Sequence, residues 1–410
     1  MTETTPTAPA TPSLWRADEG PGRVLELITT GRARTRTAIA EMTGLSRSTV
    51  GQRLDALFAA GLIRESEKQI PSRGRPSRAL QLNPSAGLVI SVDIGEERTR
   101  VALTDLDTGI LADRVEPLAV GAGPDVLLDR ITATVRELIR DAGLGDRPVA
   151  GIGFGLPAPV DYEAGKVLGW SIMSGWDDYD IRGHLRRTWQ VPILIDNDVN
   201  LLTLAEHRRF WPDQRHLLYI KAGTGVGSGM VVDGRVHRGA QGAAGDIGHA
   251  RISGFGDPQC RCGNRGCLES LVGGWALARD ARGRHQDNSH DARDVVDQVK
   301  SGDSGAVAAL RAAGRVLGEA VAYATSLLNP DVIVLGGILG TTGDHLMAGV
   351  REVVYQRSLP LATRQLKIVP TRYTSRAGIA GAAYLVRDHV LHPARLDGAL
   401  GLGESPFAPG

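Results

Sequence analysis

The 410-residue chain lacks three features, and each absence narrows what it can be. No run of eighteen apolar residues occurs, so the sequence predicts no membrane-spanning helix. The opening stretch MTETTPTAPATPS has neither a basic start nor an apolar core. It therefore argues against a secretion signal, and residues 1–20 read as a disordered tail rich in Thr, Pro and Ala. Cysteine is almost missing: there are three, Cys260, Cys262 and Cys267, all within eight residues. Clustered thiols without a secretion signal fit a reducing cytoplasm better than a disulfide framework. The length is too great for one small core and predicts two or three domains.

The cysteines that are present sit in the run CRCGNRGC, with His249 eleven residues upstream. One imidazole and three thiolates make a complete tetrahedral zinc set with no position left for water, so the expected metal is structural. Gly263 and Gly266 allow the backbone to fold back around one ion. Three inert thiols serving as small core hydrophobes are the alternative. Every cysteine of the chain gathering beside a histidine favours the metal. Such an ion would hold in place the two acidic residues on either side, Asp246 and Glu269.

A net charge of +1 hides an asymmetry. Residues 21–80 hold eleven Arg or Lys against five Asp or Glu, and the rest of the chain is net acidic. A basic head on an acidic body suggests a reader of a polyanion fused to something else. Within the head, Val24, Leu25, Leu27 and Ile28 predict the buried face of a first helix. Residues Thr37 to Met42 predict a second, with Ala38, Ile39 and Met42 inward. Gly44 turns the chain, and Ser46 is placed to cap a third helix running to about Ala60. That helix buries Val50, Leu54, Leu57 and Phe58 and presents Ser46, Arg47, Ser48, Thr49, Gln52 and Arg53 at its front or outer face. This is helix-turn-helix spacing, with side chains suited to base edges in a major groove.

Leu62–Arg64 and Ala79–Leu82 then predict the two strands of a wing. Its tip SRGRPSR carries Arg73 and Arg75 on a narrow loop suited to a minor groove. Double-stranded DNA is the expected partner of residues 21–83; a three-helix module mediating protein contacts is the plainer alternative.

From Leu88 the texture becomes alternating strands, glycine turns and helices. Strands are predicted at Leu88–Ile94, Arg100–Asp105, Ile110–Val115 and Val149–Phe154, with a helix over Val126–Asp141. A second cycle follows: a strand at His216–Ala222, the turn GTGVGSG (Gly223–Gly229), Met230–Val232 and Arg235–Val236. A long helix from Ser304 to Leu328 precedes a buried strand at Val332–Leu335. Two such cycles predict a duplicated α/β body with a cleft between its halves. The glycine turn offers backbone N–H groups to phosphate oxygens, though a tight hairpin explains it equally. Asp196-Asn197-Asp198 lies between a strand and the helix Leu201–Phe210. There a carboxylate can take a proton from a sugar hydroxyl, and a helix N-cap is the plainer role.

The run IKAGTGVGSGMVVDGRVHRGAQGAAGDIGHA, followed by CRCGNRGCLE, resembles the signature of the ROK family (repressors, open reading frames and sugar kinases). The likeness spans about residues 85–388. It implies an α/β chain: an N-terminal winged helix-turn-helix, then a duplicated actin-like, hexokinase-like ATPase-fold body with an interlobe cleft. The body is expected over residues 84–390, in lobes of about 84–200 and 201–390, with a flexible tail over 391–410. The resemblance places zinc on His249, Cys260, Cys262 and Cys267, and a sugar on Asn197, Asp198, Asp246, His249 and Glu269. It puts Asp198 at the position of the kinases' catalytic base.

The departures from the pattern also carry information. Kinases of the family open with DxGGT, where this chain has DIGEERTR, setting Glu96 and Glu97 against any nucleotide phosphate. Asp246 stands where the family's ExGH motif has glutamate. The stretch Trp170–Trp176 lacks the asparagine that the kinases tend to carry. Together these imply a sugar-responsive repressor acting as a homodimer or homotetramer, with Asp198 vestigial. An ATP-dependent sugar kinase bearing a DNA-binding module is the alternative, and a constitutive DNA binder with a degenerate body is a third.

Overall fold

The computed structural model describes residues 19–70, 77–168, 173, 175–285, 292–373 and 375–409. The head consists of α1 (Pro21–Thr29), α2 (Arg36–Thr43), α3 (Arg47–Ala59) and the antiparallel strands β1 (Ile63–Ile70) and β2 (Ser77–Leu82). Val24, Leu25, Leu27, Ile28, Ile39, Val50, Leu54 and Leu57 are all buried, as their helical spacing requires. The Ser46 hydroxyl accepts from the Thr49 amide at 3.1 Å and caps α3, and Gly44 ends α2 in the left-handed region. Met42 departs from expectation: it is exposed, because α2 is so short that Ile39 alone of its residues is buried. The wing residues Arg73 and Arg75 lie outside the described residues.

The first lobe contains β3 (Leu88–Ile94), β4 (Thr99–Asp105), β5 (Ile110–Glu116), α4 (Pro124–Asp141) and β6 (Val149–Leu156). It continues with the short pair β7 (Val160–Asp161) and β8 (Lys166–Val167), then α5 (Ile181–Arg186) and β9 (Ile193–Asn197). Next comes α6 (Asp198–Phe210), which leads into the second lobe: β10 (Leu217–Ala222), β11 (Val226–Val232), β12 (Arg235–His237), α7 (Leu268–Val272), α8 (Gly274–His285), α9 (Ala292–Lys300), α10 (Ser304–Leu328) and β13 (Val332–Gly336). The chain ends with α11 (Gly337–Gly340), α12 (Asp344–Arg357), α13 (Pro360–Thr363), β14 (Lys367–Pro370), α14 (Ala377–Val390) and α15 (Pro393–Gly401).

The two lobes repeat one topology. Their sheets run β5-β4-β3-β6-β9 and β12-β11-β10-β13-β14, each with two antiparallel pairings followed by two parallel ones. The central strands are buried on both faces and accordingly read as nearly continuous apolar runs, VIVL in β13 and LVISV, broken only by the buried Ser91, in β3.

Two expectations are corrected. The predicted lobe boundary of 201–390 fails at its end, because α14 returns to pack on β3 and β6 of the first lobe. Of the expected flexible tail over 391–410, residues 391–409 are ordered: Pro393–Gly401 forms α15, Leu396 is fully buried, and Phe407 is buried against the start of β3. Ala- and Gly-rich composition misleads there, since Leu396, Asp397 and Phe407 are enough to anchor the stretch in the core.

Candidate functional site

The cleft between the lobes holds a cavity of about 370 Å³, within the usual range for small-molecule sites. Its lining includes Glu96, Asn197, Asp198, Lys221, Asp246, His249, Arg261 and Glu269. All five predicted ligand-contacting residues, Asn197, Asp198, Asp246, His249 and Glu269, therefore converge on one space.

Their local roles differ. Asn197 caps α6: its side-chain oxygen accepts from the amides of Val199 at 2.9 Å and Asn200 at 3.4 Å, while its NH₂ donates to the Ala158 carbonyl. One N–H of that amide remains for a ligand. Asp198 opens α6 and is nearly buried, held by the Lys221 ammonium at 2.5 Å. Asp246 is exposed on the cleft wall, and its carboxylate has no hydrogen-bond or ion-pair partner among the described residues. Glu269 sits in the first turn of α7, accepting from the Val226 amide at 3.0 Å and from the Trp275 indole at 3.1 Å.

Lys221 is the residue that sequence reasoning missed. A lysine within the buried strand LLYIKA must find a counter-charge, and that requirement was the available signal. Burial by itself would lower its pKa, but Asp198, with Asp93 and Glu96 beyond, outweighs burial and raises it. Asp93, at the end of β3, is pushed up to about 6, first by burial and then by the charge of Asp198, against the pull of Lys221 and Arg100.

Asp196 is also placed by its neighbours. Arg238 donates two hydrogen bonds to its Oδ2, and Asn200 donates to its Oδ1 at 2.8 Å. The Arg238 guanidinium stacks 3.9 Å over Tyr162. This fork ties the end of the first sheet to the loop that carries Asp246.

The expected seven-residue glycine turn shrinks to Gly223–Gly225, because Gly227–Gly229 continue as β11. The reason is packing against α6: a Cβ on Gly229 would lie 2.1 Å from the Thr203 hydroxyl. Gly227 and Gly229 thus serve close helix–strand contact. Of the two acidic residues expected to face a nucleotide, Glu96 lines the cavity and pairs with Arg261 at 3.5 Å, whereas Glu97 is exposed and is not part of the lining. The stretch Trp170–Trp176 lies largely outside the described residues.

The ligand atoms of His249, Cys260, Cys262 and Cys267 all lie within 4.8 Å of one another. Cys262 Sγ is 3.7 Å from Cys267 Sγ, and Cys260 Sγ is 3.8 Å from His249 Nδ1. Sulfurs 3.7 Å apart are not bonded to each other, and the spacing suits two ligands about 2.3 Å from one tetrahedral ion. Burial pushes the Cys267 thiol up to about 12, so an ion entering the cluster would have to displace its proton. Backbone hydrogen bonds staple the cluster to the cleft: Glu269 N donates to Gly248 O at 2.8 Å, and Leu268 N to Ala250 O at 2.9 Å. The cluster therefore fixes His249 beside Glu269.

In the head, Ser46, Arg47, Ser48 and Gln52 are exposed at the front of α3. Thr49 is half-buried, and its hydroxyl meets that of Ser46 at 2.8 Å. Arg53 is half-buried, and its Nε donates to the Glu19 carbonyl at 2.9 Å.

A three-helix head with a two-stranded hairpin, joined to two lobes of one topology with acidic and amide side chains lining the cleft between them, defines a two-lobed cleft protein with an added N-terminal module. The chain belongs to the ROK family, which matches residues 89–389. It is 27% identical to a xylose repressor of Caldicellulosiruptor bescii over 90% of this chain and 95% of that one. A solved ROK family transcriptional regulator, described as a homologue of the Escherichia coli MLC protein, covers 95% of the chain with 27% identity and a TM-score of 0.80, and 99% of its own chain is matched. The ROK hexokinase of Thermus thermophilus is 29% identical with a TM-score of 0.61, covering 73% of this chain and 98% of that one.

Proposed function

We propose that the protein is a sugar-responsive transcriptional repressor whose cleft ligand controls the head. The observation that carries this reading is the match to a regulator over nearly the whole chain, head included, where the hexokinase covers only 73%. Asp246 and Glu269 accept hydrogen bonds from sugar hydroxyls, while His249 and the free N–H of Asn197 complete the ring of polar contacts. Zinc is the ion for the three-thiolate, one-imidazole cluster, and its task is structural: it keeps His249 and Glu269 at a fixed separation. Sugar binding closes the lobes and shifts the paired heads of a homodimer or homotetramer away from their half-sites. Arg47 and Gln52 read bases in the major groove, and Arg73 and Arg75 enter the minor groove. The thiols suit the cytoplasm.

The kinase alternative draws on Asp198. Two features oppose it: the Lys221 ammonium already engages that carboxylate, and Glu96 stands in the cavity where phosphates would lie.

Anisotropy titrations of the DNA flanking its gene, with and without D-xylose, D-glucose and N-acetyl-D-glucosamine, test the reading. One sugar is expected to weaken operator binding about a hundredfold, a coupling of about 2.7 kcal/mol. Operator affinity indifferent to every sugar, or ATP-dependent phosphorylation of a sugar at ordinary kinase rates, would overturn it.

A further inference from the structure

The first helix of the head begins without a cap of its own. Its N-cap is Gly20, which has no side chain to accept from the exposed amides of the first turn, and Pro21 follows. The acceptor comes from the far end of the chain. The Gly22 amide donates to Asp397 Oδ1 on α15 at 2.7 Å, a buried bond spanning 375 positions. Asp397 is only 2% exposed.

The contact is fitted to residues without side chains. A Cβ on Gly22 would lie 2.5 Å from the Pro393 carbonyl oxygen, and one on Gly20 would lie 2.0 Å from Asp397 Oδ2. The first turns of α1 and α15 therefore lie flush, backbone against backbone. Around them runs one continuous apolar cluster, with Val24, Leu25 and Leu27 from the head and Leu385, Leu396 and Phe407 from the body.

The same pair of helices packs behind the cleft: α14 lies along α6, whose first residue, Asp198, lines the cavity, and Gly381 approaches the Leu201 carbonyl. Beginning at Ala377, α14 seats Gly378 against the Asp93 carboxylate, where a Cβ would come within 2.2 Å of Oδ2. It then crosses the first sheet, and two residues, Leu391 and His392, separate its end at Val390 from α15.

We propose that Asp397 is a positioning residue for the DNA-reading head: it supplies, from the far end of the same chain, the N-cap that α1 lacks, and α14–α15 is the strut through which the cleft sets the head's orientation. The capping stands on geometry alone. Its consequence for operator release rests on the function proposed above.

Hydrogen exchange on the full-length protein, read over residues 19–30, tests the cap. The wild-type Gly22 amide is expected to be protected. Asp397→Ala should speed exchange in the first turn of α1 about fivefold or more, the usual effect of losing a cap. Asp397→Asn keeps an oxygen in place and should restore protection to within twofold. Gly22→Ala, with the carboxylate intact, should loosen the same turn by forcing α1 off Pro393. Exchange in β10 of the second lobe should not change in any variant.

A wild-type Gly22 amide that exchanges freely would overturn the proposal, and this measurement needs no variant to fold. So would unaltered exchange in Asp397→Ala, or an Asp397→Asn variant as loose as Asp397→Ala, since charge rather than capping would then be responsible. In anisotropy titrations with D-xylose, D-glucose and N-acetyl-D-glucosamine as probes, Asp397→Ala should reduce the sugar-induced change in operator affinity at least fivefold while leaving sugar affinity as it was. Loss of protection with full sugar control would sink the strut. Intact protection in a wild type that ignores every sugar would instead sink the functional reading and leave the cap standing.

Discussion

Lys221 shows what a single charge in a strand can demand of its surroundings. Its ammonium is held by Asp198, and Asp93 sits close enough to feel both. Because Asp93 titrates near 6, above the ordinary carboxylate value of 3.8, the fold favours its neutral form. The stability this contributes is complete below about pH 4 and is lost as the pH rises through 6. At neutral pH the ionised carboxylate therefore costs the fold on the order of 2–3 kcal/mol. Asp93→Asn is expected to raise the melting temperature by about a few degrees at pH 7.5 and to leave it nearly unchanged at pH 4. Thermal melts at the two values check this, and equal shifts at both would refute the assignment. None of this was visible in DIGEERTR, where attention fell on Glu96 and Glu97. Asp93 and Lys221 lie 128 positions apart, and their interaction depends on two lobes meeting. By contrast, the convergence of His249 with the three cysteines was legible because the four lie within nineteen residues, so local spacing stands in for distance.

Among the elements, those with strong periodicity were recoverable from sequence. The buried faces of α1 and α3, the cap at Ser46 and the central strands of both sheets all appear where spacing puts them. The failures share a cause. Gly227 and Gly229 are glycines because α6 crowds them, while Pro393–Gly401 is a helix despite its Ala and Gly content, and composition alone separates neither case from looseness. The loop from His249 to Cys267 is an element of another kind, tied by backbone bonds and by Ile252 in the core, and it gathers four side chains that suit one ion. Cys262→Ser is therefore expected to lower bound zinc below one ion per chain by elemental analysis. Sugar affinity should fall at least about tenfold while sugar-free operator binding is retained. Normal sugar affinity in a zinc-depleted variant would detach the metal from the site.

Across the whole molecule, the repeated topology makes two rigid lobes joined where α6 leaves the first sheet and where β14 leads back to α14. Glu96 and Arg261 face each other across that gap, and Arg261 also lies over the Trp275 ring. A partly exposed pair contributes at most about 1 kcal/mol, enough to move an open–closed balance about fivefold. Glu96→Arg is expected to open the cleft, seen as a larger radius of gyration in solution scattering, and Arg261→Glu in the same chain should restore it. Unchanged scattering in the single variant would show that the pair does not bridge the lobes. The duplication itself was readable from two cycles of strand and glycine turn. The return of the last helices to the first lobe was not, since nothing in their sequence names their partner.

That return decides how the molecule can be taken apart. Since the apolar interior of the head continues into α14, α15 and Phe407, cutting the chain after residue 83 would leave greasy surface on both fragments. Anyone grafting this reader onto a different sensor would have to transplant the final thirty-odd residues along with it, for a module contiguous in sequence is here discontinuous in space.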